Sequence, residues 1–391
     1  MQLTKNAEYI LKTLERAGYR AYVVGGPVRD FLLGKTPSDY DITTSARPEE
    51  VKAVFAAHRT VDTGIKHGTV SLILDGEPYE ITTYRVDGEY KDSRHPESVT
   101  FAARVEDDLA RRDFTVNAMA YGLNGEICDP FSGRSDLAIK TIRAVGEPHL
   151  RFSEDALRIL RGIRFASVLG FEIEEQTAAA MRALAPTLDK ISAERIYTEW
   201  TKLLSGDGAY RVIKENMDII TVFLPELSGA ILPDERAFLK AAPTVRQLAL
   251  FASLECPSEK FAAAMSRLKS PAAIRDDGAT VLSRLDGISL RTDSDIGRLL
   301  YSVGEGCARE LVSLVILLAK CDEGAKERLE SYILRALPYR ISDLAIGGRE
   351  LMSIGIRGRA LGDTLNELLL AVIDGEVENT PDALISFVKT K

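Results

Sequence analysis

"VVGGPVRDFLLGKTPSDYDITT", Val23 to Thr44, sets two adjacent glycines after a β-branched run and then brings Asp39 and Asp41 onto a second such run. β-Branched residues bounded by Gly, Pro or Asp read as strands. The stretch therefore predicts a strand, a glycine turn, a helix that starts at Pro27, and a second strand carrying the two carboxylates. Proline suits a first helical turn. Glycines permit close backbone approach to a ligand, and free N–H groups at a helix start can hold anionic oxygen. Alternate side chains on a strand share a face, so Asp39 and Asp41 are expected together, with Tyr40 and Ile42 opposite. An isolated Asp-x-Asp is more often the mark of a solvated turn; the double glycine before it favours a site. Two carboxylates so placed suit a pair of Mg²⁺ ions about 3.5–4 Å apart, the arrangement that serves phosphoryl transfer. Glu80 in "YEITTYR" is the candidate for a third carboxylate, with Asp75 behind it. Neither a P-loop nor a G-x-G-x-x-G pattern occurs here.

The chain around this stretch has 391 residues, long enough for two or more domains at about 100–200 residues each. To about residue 150, strand-like runs ("AYVVGG", "YDITT", "TVSLIL", "YEITTYRV", "AMAYGL") are interleaved with helical ones such as "PEEVKAVFAAH". From Ser153 the readable pattern is helical, beginning with "SEDALRILRGIRFASVLG", expected as one helix from a Ser153 cap to Gly170. The organisation expected from the pattern is a head of mixed strands and helices to about residue 150 and an all-helical body after it.

No run of eighteen apolar residues occurs, so no membrane span is expected. The N-terminal "MQLTKNAEYILKTLERAG" has the spacing of an amphipathic helix and lacks the apolar core of a signal peptide. Four scattered cysteines without a C-x-x-C pair argue against a zinc site or disulfide framework and suit a reducing cytoplasm. A net charge of −8 gives no compositional support for a nucleic-acid partner and excludes none, because clustering of Lys and Arg decides binding.

Gly-Gly followed a dozen residues later by Asp-x-Asp resembles the nucleotidyltransferase superfamily of polymerase-beta type. "GGPVRDFLLGKTPSDYDI" is similar to the first motif of class II tRNA nucleotidyltransferases, the CCA-adding enzymes, and of their bacterial poly(A) polymerase relatives. Three further segments match that family in order: "RRDFTVNAMAY" (Arg111–Tyr121), "DPFSGRSDLAIKTIRAVG" (Asp129–Gly146) and "EDALRILRGIRFA" (Glu154–Ala166). The resemblance implies an α+β head with a small mixed sheet and helices over 1–150, a helical neck over 151–205, and a helical body and tail over 206–391. It implies Mg²⁺ on Asp39 and Asp41, triphosphate contacts at Gly25, Gly26 and Arg29, and contacts to nucleotide and ribose at Arg111, Arg112 and Asp113. Base reading would fall to Asp155 and Arg158, supported by Arg161 and Arg164. The activity implied is addition of C, C and A to tRNA 3′ ends from CTP and ATP; A-only, CC-only and poly(A) addition are its rivals.

The fourth motif also has a reading of its own. Asp155, Arg158, Arg161 and Arg164 recur every three residues, forming one stripe along a helix while Leu157, Leu160 and Phe165 pack elsewhere. Such a stripe serves as a solvated charged face or as a recognition surface. An Arg donor beside an Asp acceptor complements cytosine and adenine, and opposes uracil and guanine donor to donor.

The segment "RVDGEYKDSRHPESVTF" (Arg85–Phe101) resembles the family's flexible loop, implicated in switching from C to A addition. None of His58, His67, His95 and His149 precedes an Asp, so no phosphohydrolase domain of HD type is expected. In the tail, Arg340, Arg349, Arg357, Arg359 and Lys391 are expected to meet tRNA phosphates. The oligomeric state stays open, a homodimer being one alternative.

Overall fold

The computed structural model describes residues 3–37, 39–62, 64–88 and 99–390. Two compact units divide the chain, Met1–Pro225 and Glu226–Lys391. The first opens with α1 (Lys5–Arg16), β1 (Ala21–Val24), α2 (Gly26–Leu32), β2 (Ile42–Thr44) and α3 (Pro48–Val54). There follow β3 (Arg59–Val61), β4 (Thr69–Leu74), β5 (Glu77–Thr83), β6 (Arg85–Asp87), β7 (Val99–Phe101) and α4 (Val105–Ala110). Next come β8 (Ala120–Tyr121), β9 (Ile127–Cys128), α5 (Gly133–Ala138) and β10 (Thr141–Ile142).

Among the described residues, seven strands form one mixed sheet in the order β3-β4-β5-β2-β1-β8-β9. β2 and β5 run parallel; the other neighbours are antiparallel. The alternation expected of a half-covered sheet is plain in β4, where Val70, Leu72 and Leu74 are buried and the residues between them are not. Ala7, Ile10, Leu11 and Leu14 make a buried stripe on α1, whose N-terminus is capped by Thr4 accepting from Ala7 N. Val51 and Phe55 of the neighbouring helical segment are buried as well, and Tyr9 meets Phe55 edge-on.

The unit continues as helices: α6 (Pro148–Glu154), α7 (Leu157–Leu169), the short strand β11 (Glu172–Ile173), α8 (Glu175–Leu184), α9 (Ala193–Leu204), α10 (Ala209–Glu215) and α11 (Met217–Phe223). The expected single helix over 153–170 is two. Asp155 is extended (φ −141°, ψ 104°), and its own side chain accepts from Leu157 N, so it starts α7 as a capping residue instead of lying inside a helix. Gly170 ends α7 in the left-handed region, as expected. α9 is fastened beside α7 by Ser167 Oγ donating to Leu203 O at 2.7 Å.

The second unit is helical throughout its described elements: α12 (Glu235–Lys240), α13 (Pro243–Phe251), α14 (Pro257–Arg267), α15 (Ala272–Ser283), α16 (Asp293–Leu317), α17 (Gly324–Leu334), α18 (Gly348–Ser353), α19 (Arg359–Ile373) and α20 (Pro381–Thr390). Phe251 and Phe261 meet edge-on at 5.2 Å in its core. Leu351, Leu368, Leu369 and Leu384 form a separate cluster towards the C-terminus. No helix among the described residues is long and apolar enough to cross a membrane.

Gly133 gives a test of packing in the first unit. A Cβ there would lie 2.2 Å from the Thr115 carbonyl oxygen, a backbone atom that cannot step aside. Gly133→Ala should lower stability by about 1–3 kcal/mol, read as a fall in the urea midpoint at unchanged slope.

Candidate active site

The end of β1 is bonded on both sides. Val24 N donates to Asp41 O at 3.0 Å and Gly25 N donates to Met119 O at 3.1 Å. These bonds bring the glycine turn, the two aspartates and the "RRDFTVNAM" segment to one place. Gly25 has φ +76°, ψ −127°, a conformation that penalises any side chain, and a Cβ would meet Arg112 Nη1 at 2.8 Å. Gly26 carries no such constraint: its φ is ordinary, and the nearest atom to an added Cβ, Arg29 Nη2, is 3.7 Å away.

Asp39 and Asp41 do not lie on the strand as expected. β2 begins at Ile42, and the pair occupies the extended approach to it. The backbone bond from Val24 still fixes Asp41, and both side chains open into a cleft of about 540 Å³. Surrounding protein pushes the Asp41 carboxyl above its ordinary range; Arg112 pulls it back, while Asp39 and Glu80 push it further up. Glu80, on β5, lies alongside through the parallel pairing of Ile42 with Ile81, but it is exposed and does not line the cleft. Asp75 is in the turn between β4 and β5, where it accepts from Asn6, and is not part of the cleft. Among the described residues no three His, Cys, Asp or Glu side chains gather tightly enough to hold a metal by themselves. Two carboxylates facing one recess are hard-oxygen donors that fit Mg²⁺, which completes its shell with phosphates and water.

The other expected contacts from the head and neck converge on the same cleft: Gly25, Gly26, Arg29, Arg111, Arg112, Asp113, Asp155, Arg158, Arg161 and Arg164 all line it. Seven arginines and five aspartates face it, so the cleft is cationic in a chain of net charge −8. Arg112 Nε and Arg195 Nη1 are buried there without a hydrogen-bond acceptor among the described residues. Buried donors seldom stay unpaired, and an anionic ligand is the natural acceptor.

The arginines are held by a connected set of bonds. Arg29 donates to Asp30 Oδ1 (2.8 Å) and to Asn117 Oδ1 (2.7 Å). Asn117 Nδ2 reaches Asp113 Oδ1 at 3.5 Å, and Asp113 Oδ2 accepts from Arg161 Nε at 2.7 Å. Burial alone would raise the Asp113 carboxyl; Arg161 and Arg158 hold it below the usual range. Phe165 lies beneath three guanidiniums, those of Arg164 (3.8 Å to the ring centroid), Arg29 and Arg161 (5.4 Å each). Leu157 and Phe165 therefore face the cleft, against the expectation that they pack elsewhere.

Asp155 and Arg158 both reach the cleft, each with a different partner from the one the motif suggests. Arg158 Nη1 donates to Glu154 Oε2 (2.5 Å) and to Arg151 O (3.0 Å), and its Nη2 to Arg111 O (3.1 Å). Asp155 Oδ2 accepts from Arg195 Nη2 at 3.0 Å. Arg195, Asn117 and Phe165 are members of the site that residue reading missed. Arg195 lies in the "SAERIYTEW" helix start, forty residues from Asp155, and no spacing rule connects the two. Outside this unit, Arg357 and Arg359 are exposed on either side of Gly358, the N-cap of α19. Arg340 is engaged with Glu305 and stacks on Tyr339. Lys391, His95 and most of the Arg85–Phe101 loop lie outside the described residues.

The raised Asp41 carboxyl has a measurable sign. Its ionised form opposes folding, so the penalty is absent at acid pH, below about 3.9, and grows as pH rises through the folded-state value. At neutral pH without divalent metal, Asp41→Asn should melt at a higher temperature than the parent, the gap closing in acid. Mg²⁺ should raise the Tm of the parent and leave the variant unmoved.

Residues 21–143 match the family described as "Poly A polymerase head domain". Residues 170–230 match "Probable RNA and SrmB- binding site of polymerase A", and 246–388 match tRNA nucleotidyltransferase domain 2. A CCA-adding enzyme of Lactobacillus helveticus is 39% identical, covering 97% of this chain and 95% of its own. One of Enterococcus faecalis is 38% identical over 98% and 95%. The crystal structure of Bacillus stearothermophilus CCA-adding enzyme in complex with CTP superposes with a TM-score of 0.80 at 32% identity, covering 100% of this chain and 99% of that one.

Proposed function

The chain belongs to the CCA-adding enzyme family, and from that premise we propose that its cleft transfers CMP, CMP and AMP in turn to tRNA 3′ ends, using CTP and ATP and releasing pyrophosphate. The observation that carries the reading is the convergence of the Asp39–Asp41 pair and the Asp155–Arg158 pair on one arginine-lined cavity. One pair suits the phosphates, the other the base.

Asp39 and Asp41 are the residues that would hold Mg²⁺, with Glu80 as a neighbouring carboxylate. Bound there, the ion supplies charge stabilisation to the reacting phosphate. Arg29, Arg111 and Arg112, with the Gly25–Gly26 turn, receive the triphosphate, and Asp113 sits at the ribose side. The attacking group is the tRNA terminal 3′-hydroxyl, which bonds to the α-phosphorus as the bond to pyrophosphate breaks. No covalent enzyme intermediate is required.

Base choice falls to Asp155 and Arg158, with Arg161 and Arg164 in support. A guanidinium has five N–H donors. Three of those on Arg158 are occupied by Glu154, Arg151 and Arg111, leaving Nε–H and one Nη2–H for a base. Each Asp155 oxygen keeps a lone pair beside its bond to Leu157 or Arg195. Donor beside acceptor matches cytosine and adenine. Uracil or guanine would leave buried groups unpaired at about 1–3 kcal/mol each. The helical tail, through Arg357 and Arg359, is read as a tRNA backbone contact. Four free thiols among the described residues support a cytoplasmic setting.

Incubation with tRNA lacking its CCA end, Mg²⁺ and each labelled nucleotide should yield C, C and A and then stop. A-only extension, CC-only addition or a growing A tail would assign the chain to a relative instead. Asp39→Ala should abolish addition while the circular dichroism spectrum is kept; appreciable turnover would contradict the metal role. Arg357→Ala with Arg359→Ala should raise the KM for tRNA and flatten its salt dependence, leaving the KM for CTP unchanged.

A further inference from the structure

Asp108 is fully buried on α4, outside the cleft, yet its carboxylate touches both nucleotide-facing arginines. Oδ1 accepts from Arg111 Nε (2.9 Å) and Nη2 (2.8 Å), and also from the backbone N of Arg85 (3.4 Å). Oδ2 faces Arg112 Nη2 (3.5 Å) and the Thr43 hydroxyl (3.4 Å). Two adjacent guanidiniums repel unless an anion lies between them, and a dry environment strengthens both the repulsion and its remedy. Burial alone would raise Asp108; the two arginines hold it ionised, below the usual range.

What the arginines do next makes this contact consequential. Arg112 stands against Gly25 and faces Asp41, the phosphate and metal end. The Arg111 carbonyl accepts from Arg158 Nη2, at the base-reading end. A single carboxylate that no ligand reaches is therefore tied to both ends of the cleft.

We propose that Asp108 is a positioning residue for nucleotide transfer, setting Arg112 for the triphosphate and, through the Arg111 backbone, Arg158 for the base. This rests on the reading of the cleft as the CTP and ATP site. Its effect is on nucleotide affinity and base choice, while the tRNA is held elsewhere.

The test is steady-state kinetics on tRNA lacking CCA, with the full chain, well below the unfolding temperature. Asp108→Asn should raise the KM for CTP and for ATP about tenfold or more. It should also increase UMP and GMP misincorporation relative to CMP and AMP, with the KM for tRNA unchanged. A loss of active protein at unchanged nucleotide KM and unchanged selectivity, as a purely structural role would give, overturns the proposal. In a double-mutant cycle read on base selectivity, Asp108→Asn should add little to Arg111→Met, while nucleotide KM still rises through Arg112; additive losses of selectivity overturn the route through Arg111. If the Asn variant does not fold, Asp108→Glu keeps the charge and displaces it by one methylene. Raised nucleotide KM there supports the proposal and parental values overturn it. A parent chain that adds no nucleotide overturns the reading of the cleft itself, whereas an active parent beside a Asp108→Asn variant of unchanged KM overturns this inference alone.

Discussion

Two backbone hydrogen bonds at the end of one short strand organise the head. Val24 N and Gly25 N are consecutive donors that point to opposite sides of β1, one to Asp41 O and the other to Met119 O. A central strand has to satisfy both edges, and satisfying this one joins three segments separated by up to about ninety residues of sequence. Gly25 must be glycine for its backbone angle and for the guanidinium lying against it. Were this strand end frayed, Asp41 would lose its backbone anchor and Arg112 the glycine it lies against.

The cleft that results is built from opposed charges at short range. The linked chain Asp30–Arg29–Asn117–Asp113–Arg161 gives the Asp30 and Asp113 carboxylates their donors. Their net effect is a cationic lining that has already met the cost of bringing arginines together. Catalysis by prearranged charge depends on that, because groups that must reorganise during reaction lose most of their advantage. Phe165 adds an apolar floor under three of the guanidiniums, keeping them flat and partly dry.

Much of this was legible in the sequence. The strand–glycine–helix start, the α+β head, the change to helices and twelve cleft residues follow from local pattern and from four motifs in order. What escaped was decided by tertiary partners. The Asp155 break is invisible to a count of three, because a spacing rule assumes an unbroken helix, whereas this Asp uses its side chain to begin a new one. The side chains of Asp39 and Asp41 reach the cleft without a strand beneath them, since a backbone bond to Val24 does what ladder pairing would have done. Arg195 carries no motif signal, and Asn117 lies inside "RRDFTVNAMAY" with no feature that marks it out; they matter because α9 and the segment after Phe114 are packed where Asp155 and Arg29 need a partner. Glu80 was found beside Asp41, yet it faces outward, a distinction that alternation along β5 alone does not settle.

The extended residue between α6 and α7 has a mechanical meaning. Arg158 sits within the hydrogen-bond ladder of α7, and Asp155 supplies that helix with its first acceptors, its carbonyl taking Arg158 N and its side chain Leu157 N, each at 3.0 Å. Turning the Asp155 backbone would therefore break the first bonds of α7 as well as the contact with Arg195. Acceptor and donor are thereby clamped to one helix start, and the distance between them is set by the first turn of α7.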